Sequence, residues 1–134
     1  MTQPINAMAT APTDWVRQQY LKATQFLADM GIVTDNVALE ESRYLPDTLS
    51  IWKLNSLDKS SYWVLSCDQV VDALPASVAA DAKAAALNFS MRWQMKAAQL
   101  QDVATDDSAK QQAIAMADFA EFVYSLCQQE KLWG

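Results

Sequence analysis

The sequence predicts an α+β fold with an N-terminal helix, a β-hairpin and a C-terminal antiparallel pair of helices packed on the hairpin. Three observations support this: an apolar stripe of helical period after residue 13, two central runs rich in aromatic and β-branched residues, and an alanine-rich second half of helical period. A chain of 134 residues has the size of one domain. We therefore expect one globular domain over residues 13–134, after a flexible lead-in over residues 1–12.

The first helix is predicted over residues 14–30. Its apolar residues recur at steps of four, three, four and three residues: Val16, Tyr20, Ala23, Leu27 and Met30. Gly31 then stands where a left-handed residue ends a helix, and Ile32 supplies the apolar contact that accompanies such a stop. Residues 34–47 show no such period, and we expect a loop there, with one helical turn as an alternative.

The hairpin is predicted from the runs TLSIWKL and SYWVLSC, which flank the polar connector NSLDKS. Alternation places Leu49 and Ile51 on one face of the first strand and Trp52 and Leu54 on the other. Both faces of the ribbon therefore carry apolar side chains. Because a two-stranded ribbon is marginal alone, we expect helices to cover it on most sides.

The second half is predicted to form two helices. Pro75 suits a first helical turn, and Ala104–Asp107 is a short polar string that can cap the next helix, so that the chain folds back as a helical hairpin. The first stripe consists of Ala79, Ala82, Ala86, Phe89, Trp93, Ala97 and Leu100. The second consists of Met116, Phe119, Ala120, Phe122, Val123, Leu126 and Cys127.

Composition excludes much familiar chemistry. The chain contains no histidine, which removes imidazole-based catalysis and zinc sites, and its 2 glycines permit neither a Walker loop nor a GxGxxG motif. We therefore expect no cofactor, no metal and no enzymatic activity. Cys67 and Cys127 are not in a CxxC arrangement, and we interpret both as packed core thiols.

Charge narrows the choice of partners. The net charge is -6, and the 10 lysines and arginines are scattered along the chain. We therefore expect neither nucleic acid nor a membrane surface as partner. The first thirteen residues have no basic start and no long apolar run, so we expect no secretory signal and a cytoplasmic protein.

Eight residues are candidates for contact with a ligand or partner. Ser66, Asp68 and Asp72 end a predicted strand ahead of a helix, where sites are often built, although each could instead bond local backbone. A guanidinium beside an indole or a carboxylate can stack, form a salt bridge or bind a carboxylate ligand. The full set is Arg43, Trp52, Trp63, Ser66, Asp68, Asp72, Arg92 and Trp93.

Part of this pattern resembles a known family. The segments Tyr62–Ser66 and Asn88–Gln94, together with Asp68 and Asp72, resemble a family of short bacterial proteins known only as a domain of unknown function. Two tripeptides, Glu41-Ser42-Arg43 and Ile51-Trp52-Lys53, add to the resemblance, which covers roughly the middle half of the chain. The family tends to have glycine at the position of Cys67 and proline near Val70, where this chain differs. The resemblance implies a discrete bacterial domain and no particular activity.

Two functional hypotheses follow. The first is a non-enzymatic interaction module (an adaptor, an inhibitor or a self-associating domain, such as a homodimer) with an acidic surface and an aromatic contact patch. The second is a domain that binds a small polar or anionic ligand in a pocket between the hairpin and the helices. In the second case Arg43 and Arg92 would orient the ligand over Trp52, Trp63 or Trp93.

Overall fold

A computed structural model describes residues 14–133, which form three layers. Helix α1 covers one face of an antiparallel five-stranded sheet, and the pair α2 and α3 covers the other. The helices are α1 (Asp14–Asp29), α2 (Ala82–Val103) and α3 (Asp107–Cys127), and the strands are β1 (Thr34–Val37), β2 (Arg43–Leu45), β3 (Leu49–Ser56), β4 (Ser61–Ser66) and β5 (Val71–Pro75). This is the α+β order that the sequence predicts. The predicted lead-in over residues 1–12 lies outside the described residues.

Helix α1 ends as the sequence predicts. The Gly31 N–H donates to the carbonyl of Ala28, and the Ile32 N–H donates to the carbonyl of Leu27, which is the Schellman arrangement. Gly31 has a φ of 81°, a left-handed value that glycine adopts without steric cost. The local sequence therefore determines where helix α1 ends.

The sheet is larger than the predicted hairpin. Strands β3 and β4 form that hairpin, with Trp52 opposite Val64 and Lys53 opposite Trp63. Strand β5 pairs with β4, and β1 and β2 both pair with β3 on its other side. The expectation of a loop over residues 34–47 was therefore wrong, apart from the single helical turn at Leu39–Glu41.

Alternation along the strands divides the core into two parts, as the sequence predicts. Leu49, Ile51 and Trp63 pack against α2 and α3, whereas Trp52 and Leu54 pack against α1. All five side chains are buried because helices cover both faces of the central strands.

Two further expectations, both about the segment after β4, were wrong. Residues Ser66 to Asp72 do not lead into a helix, because Val71–Pro75 forms the edge strand β5. Pro75 ends that strand and precedes a short 3-10 helix, Ala76–Val78, and does not stand in the first turn of α2. Helix α2 starts later, at Ala82, where the carboxylate of Asp81 accepts a hydrogen bond from the Ala84 N–H.

The two C-terminal helices form the predicted hairpin. The carboxylate of Asp106 caps α3 by accepting from the Ala109 N–H at 2.7 Å, as the polar string at residues 104–107 predicts. Two members of the predicted stripes, Leu100 and Phe122, are exposed, because α3 packs mainly on α2 and the sheet covers only part of the pair. None of the helices within residues 14–133 has the length and apolarity needed to cross a bilayer.

Candidate functional site

The main candidate site is an apolar cleft at the edge of the sheet, which we call the edge cleft. It lies between strand β5, the loop before it and all three helices, and has a volume of about 520 Å³. Its lining consists of Phe26, Gln69, Val70, Val71, Asp72, Trp93, Lys96, Ala115, Met116 and Phe119. Volumes of this size accommodate small organic ligands.

Aromatic rings form one wall of the edge cleft. Trp93 contacts Phe89 and Phe119, each with ring centroids 5.6 Å apart and an interplanar angle of 34°. The Trp93 indole Nε1 donates to Oδ2 of Asp72 at 2.9 Å, which fixes the ring against β5. The cleft therefore offers a rigid aromatic surface.

The two charged side chains that line the cleft, Asp72 and Lys96, differ in their polar partners. The Asp72 side chain is 15% exposed, and its Oδ2 lies 3.7 Å from Nε of Arg92. Its Oδ1 accepts from the backbone N–H of Ala73 at 2.9 Å. Lys96, in contrast, lines the cleft and takes part in none of the ion pairs found among residues 14–133.

The rim loop, Cys67 to Val70, is tied to α1. Lys22 Nζ donates to the Cys67 carbonyl at 2.6 Å, and the Cys67 N–H donates to the Val70 carbonyl at 3.0 Å. The Trp15 indole donates to Oδ1 of Asp68 at 3.1 Å. Two of these bonds come from α1 and hold the rim loop against that helix.

A buried polar network continues from this loop into the sheet. Gln19, only 2% exposed, donates to Oδ1 of Asp68 at 3.3 Å, and its Oε1 accepts from the Ser66 hydroxyl. Ser66 and Asp68 therefore support the rim loop and do not line the cleft. Asp68 does not bond local backbone in this arrangement but reaches across to α1.

The other two candidate tryptophans lie in the interior. Trp52 and Trp63 are each 0% exposed, and their indole N–H groups donate to the Ser50 hydroxyl and the Ala79 carbonyl. Neither ring can contact a ligand or a partner in this conformation, because helices cover both faces of the sheet. Trp52 and Trp63 are thus part of the core, and of the three candidate tryptophans only Trp93 lines a cleft.

Arg43 lies apart from the edge cleft. It lines a separate cleft of about 410 Å³ that also contains Glu40, Glu41, Asp81, Lys83 and Glu130. Its guanidinium donates to the backbone carbonyls of Glu40 at 2.7 Å and Ser42 at 2.8 Å. Lys83 is paired with Glu130 at 2.7 Å. Arg43 and Arg92 therefore do not converge on one ligand, contrary to the sequence-based hypothesis.

The next question is whether the thiols are reactive and whether the acidic side chains are grouped as metal ligands. Burial raises the pKa of both Cys67 and Cys127, so each remains a protonated, weakly nucleophilic thiol at neutral pH. Over residues 14–133, no three of the Cys, Asp and Glu side chains are grouped so as to hold a metal ion.

The sequence-based candidates include only part of the cleft lining. Asp72 and Trp93 line the edge cleft and Arg92 contacts Asp72, but Phe26, Lys96 and Phe119 were not among the candidates. Those three residues come from three different helices that meet only in the folded chain. Helical periodicity placed Phe119 in the apolar stripe of the last predicted helix, and no local signal distinguishes Lys96 from other surface lysines.

Comparison with known proteins gives one match. A family model described as Domain of unknown function (DUF4826) matches residues 10–133, a longer stretch than the middle half on which the resemblance was noted. No curated protein and no solved structure matches the chain.

Proposed function

The chain belongs to the family described as Domain of unknown function (DUF4826), and on that premise we propose that it binds a small anion with an apolar body in the edge cleft, without transforming it. The observation that carries this proposal is the position of Lys96, a cation without an ion-pair partner among the described residues, at an otherwise apolar aromatic cleft. Aromatic or branched aliphatic carboxylates are ligands of this kind.

The apolar body of the ligand would pack against the apolar part of the cleft lining. Phe26, Trp93, Met116 and Phe119 present apolar side chains there. Each square ångström of apolar surface removed from water contributes about 25 cal/mol, so burial of one aromatic ring supplies the main driving force. Methionine adapts its shape to irregular ligands, which suits Met116 to this position.

The anionic group of the ligand would face Lys96. The ammonium group supplies charge and hydrogen-bond donors, and the side-chain amide of Gln69, which also lines the cleft, would add another donor. Asp72 would not repel the ligand strongly, because Arg92 and Trp93 already engage its carboxylate. The ligand class is therefore a monoanion.

Binding without catalysis is supported by the residue types present. The chain has no histidine to act as a general base, and burial raises the pKa of both thiols above that of a reactive cysteine. The two free cysteines also support our proposal of a cytoplasmic location, where thiols stay reduced.

The proposal is tested by titrating the protein with 2-naphthoate while recording ¹H–¹⁵N spectra and binding heats. We expect resonances of Val70, Val71, Trp93 and Phe119 to shift together in a saturable manner. Lys96→Gln should weaken binding about fivefold, the equivalent of about 1 kcal/mol for an exposed charge. Ala115→Trp should abolish binding by filling the cleft.

Two matched variants control this experiment. Lys110→Gln removes one positive charge from an exposed position of α3 that does not line the edge cleft. Ala98→Trp adds the same bulk at an exposed position of α2 outside the cleft. Both should bind 2-naphthoate as the wild type does. Absence of saturable shifts in the wild type, or equal weakening by the two lysine variants, would contradict the proposal.

A second candidate function is self-association, which one feature of the helical pair favours. Leu87, Met91, Gln94, Glu121 and Tyr124 line an open hollow between α2 and α3, and Met91 is 56% exposed. Only Glu121 among these residues is charged. We take a second copy as the occupant because a two-fold contact would bring two such hollows together. The sparse charge there limits the repulsion that a net charge of -6 imposes on two copies.

Light scattering over a range of protein concentrations tests this second candidate. A concentration-dependent doubling of mass is expected, and Met91→Glu should abolish it by placing a charge in the hollow. Met95→Glu is the matched control, since Met95 is 66% exposed but does not line the hollow. A wild type that stays monomeric at millimolar concentration rules out this candidate.

A further inference from the structure

We infer that Arg92 determines which sign of charge the edge cleft accepts, acting through Asp72. The inference rests on the proposed function and concerns the same cleft. It makes Arg92 a positioning and specificity residue that does not itself line the cleft. The ligand class that follows is an apolar-bodied anion, with the corresponding amine rejected.

The geometry places two opposed charges within reach of one ligand. Asp72 and Lys96 both line the cleft, one on strand β5 and the other on α2. A carboxylate beside aromatic rings is, by itself, a suitable site for an ammonium group. Whether the cleft prefers an anionic or a cationic ligand therefore depends on which of these two charges is already compensated by another residue.

Arg92 compensates the negative charge. Its Nε lies 3.7 Å from Oδ2 of Asp72, and the same oxygen accepts from the Trp93 indole at 2.9 Å. Asp72 is mostly buried, so its field is screened less by water than that of a surface acid. With Arg92 present, Asp72, Arg92 and Lys96 sum to one positive charge, and without Arg92 they sum to zero.

The rest of the cleft lining is uncharged. Among the cleft-lining residues, only Asp72 and Lys96 carry a formal charge, and the remaining polar side chain is Gln69. Arg92 and Lys96 are four residues apart on the same helix, one turn along. Removal of Arg92 thus leaves the charge of Asp72 without a compensating cation, while the hydrogen bonds from Trp93 and the Ala73 N–H to its carboxylate remain.

The test compares two probes of the same shape, 2-naphthoate and 2-naphthylmethylammonium, in binding titrations. The wild type should prefer the anion. Arg92→Gln should reduce the ratio of anion to cation affinity about tenfold. Adding Asp72→Asn in the same chain should return the ratio to near the wild-type value, and Arg92→Lys should retain most of it.

Lys110→Gln is the control for a general loss of positive charge, and it should leave the ratio unchanged. An unchanged ratio in Arg92→Gln, with anion binding intact in the wild type, overturns the inference about Arg92 and leaves the proposed function standing. A wild type that binds neither probe overturns both. Equal weakening of anion and cation binding in Arg92→Gln would indicate a purely structural role for Arg92 and would also overturn the inference.

Discussion

The indole of Trp93 donates a hydrogen bond of 2.9 Å to the carboxylate of Asp72, 21 residues earlier in the chain. This bond joins α2 to the edge strand β5 across the layer boundary of the fold. It also fixes the orientation of the ring that forms the wall of the edge cleft. One interaction therefore contributes to the stability of the sheet edge and to the shape of the candidate site.

Asp72→Leu should destabilise the protein by about 1–3 kcal/mol, because the Trp93 indole N–H would remain buried without an acceptor. Trp93 is 4% exposed, so water cannot readily replace the carboxylate. Urea denaturation followed by circular dichroism measures this change. Asp118→Leu, at an exposed position of α3, should change stability by less than about 0.5 kcal/mol. Equal effects of the two substitutions would contradict the assignment.

Gln19→Leu should cost about 0.5–1.5 kcal/mol, because it removes two side-chain hydrogen bonds. The Ser66 hydroxyl keeps its bond to the Gln19 backbone carbonyl, and Asp68 keeps its bond to the Trp15 indole. The neighbouring Gln18 is exposed, and Gln18→Leu supplies the same chemical change as a control. Thermal unfolding of the two variants checks the prediction. A Gln19 variant as stable as the Gln18 variant would show that the network contributes nothing.

The fold was predictable where local signals were strong. The positive φ at Gly31 and the alternation around Trp52 follow directly from residue type and order. Strands β1, β2 and β5 were missed because they are short edge strands with polar residues, such as Asp35 and Asn36, that also suit loops. Their pairing with β3 and β4 is a tertiary property.

The candidate site was predictable only in part, for a related reason. Asp72 attracted notice as an acid after a strand, yet it lies within β5, where alternation points it at Trp93. Lys96 differs from other surface lysines only in lining the edge cleft, which three helices and a strand form together. A cleft built from distant segments leaves no periodic signal in any one of them.

Asp58→Asn should make stability less sensitive to acid. The Ser56 hydroxyl and the Ser60 N–H donate to the Asp58 carboxylate and lower its pKa below the ordinary value of an aspartate. A carboxyl whose pKa is lower in the folded state stabilises the fold above its unfolded pKa of about 3.9, and that contribution is lost as pH falls through the folded pKa. The gap between variant and wild type should therefore narrow on acidification.

Urea midpoints at pH 6.5 and pH 3 measure that gap. Asp118→Asn serves as the control, because Asp118 is exposed and has no hydrogen bond of this kind within the described chain. We expect its difference from the wild type to change less with pH. A gap for the Asp58 variant that widens toward pH 3 would have the wrong sign for this mechanism.

Both thiols should react slowly with Ellman's reagent in the folded protein at pH 8. Cys67 is 0% exposed and Cys127 is 3% exposed, and burial raises the pKa of each, so the thiolate is rare and the reagent has no access. Reaction then requires local opening of the fold, and we expect rates at least about 100-fold below those in 8 M urea.

The variants Cys67→Ala and Cys127→Ala each leave one thiol, so each measured rate can be assigned to one cysteine. Rapid labelling of the remaining Cys67 in folded protein would mean that the rim loop opens freely, and the edge cleft would then lack the rigid rim described above.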